Sequence, residues 1–72
     1  MADSETLRNT LKEHRARTGL TQADLAERAG VSRKTINTVE NGVFIPSTVL
    51  ALRLSRALGV PVEALFQLPD QD

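Results

Sequence analysis

The chain has 72 residues, nine basic and nine acidic side chains, a formal net charge of zero and 40% hydrophobic residues. That length holds one domain, residues 1–72, and the apolar content excludes a disordered chain. No apolar run approaches the roughly 20 residues of a membrane span, and the opening Met-Ala-Asp-Ser-Glu is too acidic and polar for a secretory signal. With no cysteine, neither disulfides nor a thiolate metal site can staple the core, a composition that suits a reducing cytoplasm. A core this small, with two Phe and no Trp or Tyr, is marginal alone and raises the expectation of a dimer.

Gly19, Gly30, Gly42 and Gly59 each follow a stretch with helical spacing, and no long alternating β-branched run reads as a strand. The expected fold is all-α, with five short helices. Helix one is expected over residues 5–18, capped by Ser4, with Leu7 and Leu11 one turn apart on its inner face. Helix two starts at the Thr21 cap, with Asp24 in its first turn, and ends at Ala29. Helix three starts after Ser32 and ends near Asn41 and Gly42. Residues 43–46, Val-Phe-Ile-Pro, form a loop in which Phe44 is expected to cover the junction of helices three and four. Ser47 caps helix four, whose Val49, Leu50, Leu52, Leu54 and Leu58 are too many for one stripe and mark it as the most buried helix. Pro61 suits the first position of a fifth helix over residues 62–66. The core is expected over residues 5–66, with residues 67–72 a tail that reaches a partner copy.

Residues 22–41, QADLAERAGVSRKTINTVEN, carry the chemistry. They read as two helices joined by a tight turn. Ala26 allows the second helix to pass closely, and Gly30 supplies the positive φ of the turn. Leu25, Ala29, Val31, Ile36 and Val39 lock the pair together and onto the core. Arg33, Lys34, Asn37 and Thr38 fall outside that apolar set, and no acid interrupts them before Glu40.

This pattern resembles the lambda-repressor-like, Cro and xenobiotic-response-element family of bacterial and phage regulators. The resembling residues are residues 21–26, Gly30-Val31-Ser32, Thr35-Ile36-Asn37 and residues 39–42, continued by Pro46-Ser47, the leucine-rich fourth helix and residues 63–66. The match runs from about Leu7 to Phe66. It implies a five-helix fold with helices two and three as a helix-turn-helix, the third lying in the major groove of double-stranded DNA. Arg33, Lys34, Asn37 and Thr38 are then the base-contacting candidates: Arg reads guanine through two hydrogen bonds, Asn pairs with adenine and Thr touches a thymine methyl. Gln22, Ser32 and Asn41 are the phosphate-contacting candidates, Gln22 also bracing helix three. Arg15 and Glu40 match a family ion pair tying helix one to the end of helix three. Leu65, Phe66 and Leu68 are the expected dimer interface. Many relatives carry a polar residue or tyrosine after the glycine, where this chain has Val43-Phe44-Ile45.

The implied function is sequence-specific DNA binding as a transcriptional regulator, a repressor acting as a homodimer on an inverted repeat with major grooves about 34 Å apart. An antitoxin-type autoregulator is the alternative within the same chemistry, although only residues 67–72 remain for a toxin-neutralising extension. A protein-interaction module that has lost DNA binding would show an acidic or apolar third helix, which Arg33, Lys34, Asn37 and Thr38 oppose. With one His, no Cys, no phosphate-cradling Gly-rich loop and no Ser/His/Asp set, no catalytic constellation, metal site, cofactor or small-molecule ligand is expected. The charge balance is not uniform. Residues 7–59 hold all nine bases and four acids, a net of +5, and the other five acids lie at the two ends. A basic body between acidic ends remains compatible with DNA.

Overall fold

The computed structural model describes residues 7–69. In chain order these form β1 (Arg8–Asn9), α1 (Leu11–Arg17), α2 (Gln22–Ala29), α3 (Arg33–Glu40), α4 (Thr48–Leu58), α5 (Val62–Leu65) and β2 (Phe66–Gln67). The architecture is therefore five helices with one short strand pair.

The starts and stops of the central helices follow local chemistry. Thr21 caps α2: its hydroxyl accepts the Asp24 N–H at 3.0 Å, and the Asp24 carboxylate accepts the Thr21 N–H at 3.0 Å. This closed capping box satisfies two donors that the first turn would otherwise leave open. Ser32 and Ser47 cap α3 and α4 through single bonds from Thr35 and Leu50 N–H, both 3.1 Å. Gly30 ends α2 at φ 74°, a left-handed conformation costly for any residue with a Cβ. Behind it, Val31 N–H donates to the Ala26 carbonyl at 3.0 Å and turns the chain into α3.

The core is apolar throughout. Leu11, Leu25, Ala26, Ala29, Ile36, Val39, Leu50, Leu54, Leu58, Leu65 and Phe66 are buried together, with Leu7, Leu20 and Val31 packed against them. On α4 only the Leu50, Leu54 and Leu58 stripe is inside, and Val49 and Leu52 are more than half exposed. The leucine density of α4 thus did not mean burial all round: positions three and four apart share one face, and Val49 and Leu52 fall on another.

The N-terminal segment departs most from its expected form. Residues 7–10 are not helical, and α1 begins at Leu11; the expected cap, Ser4, lies outside the described residues. Arg8 and Asn9 instead pair antiparallel with Gln67 and Phe66. Thr10 N–H donates to the Leu65 carbonyl at 2.9 Å and its hydroxyl to the Ala64 carbonyl at 2.6 Å. The Asn9 side-chain oxygen accepts the Leu11 N–H at 3.1 Å. These bonds to the distant C-terminal segment use the donors that a longer α1 would need. They also pull Phe66 out of the fifth helix, which ends at Leu65.

Candidate nucleic-acid interface

At about 100° per residue, the buried Ile36 and Val39 define the inner side of α3. Lys34 and Asn41 lie at the middle of the opposite, outward side, with Asn37 and Thr38 flanking them. Arg33 falls toward the edge shared with Glu40. Arg33, Lys34 and Asn41 are exposed; Asn37 and Thr38 are half-buried. Lys34, Asn37 and Thr38 thus share one face with Asn41, Arg33 stands at its edge, and Ser32 lies at its N-terminal end.

The acid on this helix is removed from that face. The Glu40 side chain is 3% exposed and accepts Arg15 Nε at 2.6 Å and Arg15 Nη2 at 3.3 Å. Its Oε1 also accepts Gln22 Nε2 at 3.0 Å. Arg15 Nη1 donates to the Leu20 carbonyl at 2.9 Å, holding the guanidinium between α1 and α3. A doubly bonded Arg–carboxylate pair has a fixed geometry, so α1, α2 and α3 meet at one polar point in an otherwise apolar interior. Gln22 braces α3 through this bond, with its carbonyl oxygen and second amide proton not engaged by it. No acidic charge is left on the outward face of α3.

The other candidates are partly occupied. The Ser32 hydroxyl caps α3, also lying 3.0 Å from Thr35 Oγ1, so its free contribution at the N-terminus of α3 is the backbone. Asn41 Nδ2 donates to Asn37 Oδ1 at 3.2 Å, which orients the Asn37 amide and leaves a second lone pair and both Nδ2 protons for a base edge. Thr38 Oγ1 donates to the Thr35 carbonyl at 3.0 Å. Asp24 at the start of α2 is fully exposed. The Thr21 backbone N–H, then the Thr21 hydroxyl, hold its carboxyl below the usual carboxylate range.

Two expectations about apolar residues need correction. Phe44 does not close the core; it is 46% exposed, with Val43 and Ile45 more so. After the left-handed turn at Gly42, Val43 and Phe44 line a cleft beside α3 on one side and a cavity with Leu7, Val39 and Phe66 on the other. Leu65 and Phe66, expected at a dimer interface, are 0% and 9% exposed. The β1–β2 pairing folds them against Leu11, so they belong to the core of their own chain. Leu68, 68% exposed, stays outside.

Several positioning contacts lay beyond sequence reasoning. Asn9 Nδ2 donates to the Val39 carbonyl at 3.1 Å, tying β1 to the last turn of α3. Arg53 on α4 reaches the Ala29 carbonyl at 3.5 Å, at the end of α2. An Asn–Thr pair before a helix is a local turn signal, but nothing local specifies a partner 30 residues away. Among the described residues, no cluster of His, Cys, Asp and Glu is placed to hold a metal ion, and no helix is long and apolar enough to cross a membrane.

A helix-turn-helix family model matches residues 11–65, from the start of α1 to the end of α5. The chain is 49% identical over 67 residues to an uncharacterized HTH-type transcriptional regulator of Methanothermobacter thermautotrophicus, covering 92% of this chain and 96% of that one. It is 38% identical over 66 residues to YgzD of Bacillus subtilis, also an uncharacterized HTH-type transcriptional regulator, covering 92% and 100%. The fold is similar to that of the restriction-modification controller protein C.AhdI from Aeromonas hydrophila, with TM-score 0.72, 35% identity and coverage of 75% of this chain and 82% of that one. A helix pair braced through Gln22 and Glu40, an acid-free outward face on α3 and these likenesses agree: the chain belongs to the XRE-type helix-turn-helix family of DNA-binding transcriptional regulators.

Proposed function

We propose that the protein is a repressor that binds an inverted-repeat operator as a homodimer, with α3 of each copy in the major groove. The observation that carries the reading is the outward face of α3, where Lys34, Asn37, Thr38 and Asn41 stand, with Arg33 at its edge, without an acid because Glu40 is turned inward onto Arg15. Arg33, Lys34, Asn37 and Thr38 read base edges and set the sequence. Gln22, the N-terminal amides at Ser32, and Asn41 meet phosphates and set the register. Repression follows from occupying a promoter, the simplest outcome for a chain whose described residues form one DNA-binding unit.

Since Leu65 and Phe66 are buried within the chain, the second copy docks on what remains outside. The β1–β2 register, continued outward by one residue, sets Leu68 opposite Leu7. Leu7 in turn borders a groove of about 320 Å³ shared with Ala51, Leu52, Val62 and Phe66. We assign the dimer contact to Leu68 and Leu52, the exposed leucines at this end. A two-fold pair of small domains fits a palindromic site.

Selection from random duplexes followed by mobility shift tests the reading. The wild type is expected to enrich an inverted repeat and to bind it better than bulk DNA at moderate salt; no preference for any duplex defeats it. Arg33→Ala is expected to lose about 1–3 kcal/mol and to relax one operator position. Gln22→Ala is expected to weaken all sequences alike. Sedimentation should give a dimer for the wild type and a monomer for Leu52→Asp/Leu68→Asp; a monomeric wild type removes the dimer.

A further inference from the structure

The loop after α3 is left unexplained by base-reading side chains on α3. Val43, Phe44 and Ile45 are 77%, 46% and 65% exposed. Three consecutive apolar residues left this exposed in a small domain are only partly covered by their own chain, and such runs mark a surface that something else covers.

Val43 and Phe44 are not splayed into solvent at random. Gly42, at φ 77°, closes α3, its N–H donating to the Val39 carbonyl at 3.1 Å. Val43 and Phe44 N–H both donate to the Thr38 carbonyl, at 2.9 and 3.1 Å. In this type of helix ending, the residue after the glycine lies against the helix residue five positions before it, which brings Val43 to Thr38. The result is a shallow cleft of about 350 Å³ with two unlike walls. Ser32, Lys34, Thr35 and Thr38 form the polar wall, and Val43 and Phe44 the apolar one. Lys34 stands at the middle of the outward side of α3 and Thr38 beside it, so the cleft adjoins the direction that faces a groove floor. The Thr38 hydroxyl proton is already given to the Thr35 carbonyl, which leaves the methyl and a lone pair as that side chain's free groups.

We propose that this cleft reads thymine. The C5-methyl of one thymine in each half-site seats against Val43, Phe44 and the Thr38 methyl, and Val43 is a specificity-determining residue outside α3. The inference rests on the reading of α3 as the DNA-contacting helix. Among the base-pair edges in the major groove, the distinctive apolar group is the thymine methyl, and it is the occupant that an apolar wall beside a base-reading face favours. Deoxyribose carbons are the other apolar surface of DNA, but they recur at every position, so a loop resting on them would strengthen all sequences equally.

Replacing each thymine of the selected operator by deoxyuridine removes the methyl and leaves base pairing intact. For the wild type, one position per half-site is expected to lose about fourfold in affinity, the equivalent of one buried methyl. Val43→Ala, at an exposed position with its fold checked by circular dichroism, should lose less than about twofold from the same substitution. Val43→Ile, which keeps the apolar wall, should retain the full loss. Thymines elsewhere should give equal effects in all three proteins. Three results overturn the proposal while leaving the reading of α3 intact. No thymine gives a loss above about twofold; or wild type and Val43→Ala lose equally; or Val43→Ala weakens operator and bulk DNA by one factor, placing the loop on the sugar-phosphate strand. A wild type that prefers no duplex overturns both.

Discussion

Glu40→Ala tests the polar point at which α1, α2 and α3 meet. The substitution removes the acceptor of three hydrogen bonds, from Arg15 Nε at 2.6 Å, Arg15 Nη2 at 3.3 Å and Gln22 Nε2 at 3.0 Å. The Arg15 and Glu40 side chains are 15% and 3% exposed, so the guanidinium is left charged with little access to water. Breaking one side of a buried pair costs about 3–5 kcal/mol, against about 0–1 for an exposed one. Arg15 keeps its bond to the Leu20 carbonyl at 2.9 Å and some solvent contact, which places the expected loss near the lower limit, about 3 kcal/mol. A domain of this size has roughly 4–11 kcal/mol in total, and the melting temperature should fall by about 12–24 °C. Urea and thermal unfolding followed by circular dichroism measure both quantities. The companion variant Arg15→Met/Glu40→Leu replaces both charges with apolar groups and should recover most of the loss, because the cost lies in the orphaned charge rather than in the missing pair. A loss below about 1 kcal/mol for Glu40→Ala, or a double variant as unstable as the sum of its singles, would refute the reasoning.

The remaining predictions concern the two ends of α2. Gly30→Ala should lose about 1–2 kcal/mol, because φ 74° must be held by a residue with a Cβ. The added Cβ would meet Arg53 Nη1 at 3.4 Å, an ordinary contact, so the cost should not depend on Arg53; a neutral Gly30→Ala variant contradicts the turn argument. At the other end, the folded state holds the Asp24 carboxyl below its ordinary value. A depressed folded pKa stabilises the fold above the unfolded pKa, about 3.9, and that stabilisation is lost as pH falls through the folded value. Asp24→Asn should therefore be less stable than the wild type at about pH 6, and the gap should narrow toward about pH 2. A gap that stays constant with pH would detach the effect from the carboxylate.

Much of this protein was legible because its signals are local. Thr21 with Asp24, Ser32 with Thr35, and Ser47 with Leu50 each close a cap within three residues. Gly30 and Gly42 end their helices by bonds that reach back no more than five residues. The apolar positions Leu25, Ala29, Ile36 and Val39 follow helical spacing. These alone specify the helix-turn-helix, its inner face and the polar outward residues of α3.

What the sequence could not settle involves partners far apart in the chain. Leu7 and Leu11 are spaced as one helical face, yet Leu7 belongs to the segment leading into β1, because Arg8 and Asn9 find a better ladder on Gln67 and Phe66. The same pairing drew Leu65 and Phe66 inside and left Leu68 out, so a run that looked like one interface was divided between core and surface. On α4, the apolar content was plain but its division was not: the Leu50, Leu54 and Leu58 stripe is buried against α2 and α5, and Val49 and Leu52 are left more than half exposed. Sequence by itself determined the helices, their caps and the chemical character of α3, since short-range hydrogen bonds and side-chain period decide these. Tertiary structure alone decided which apolar residues are covered and where Glu40 turns its charge, because burial depends on the neighbours that packing supplies.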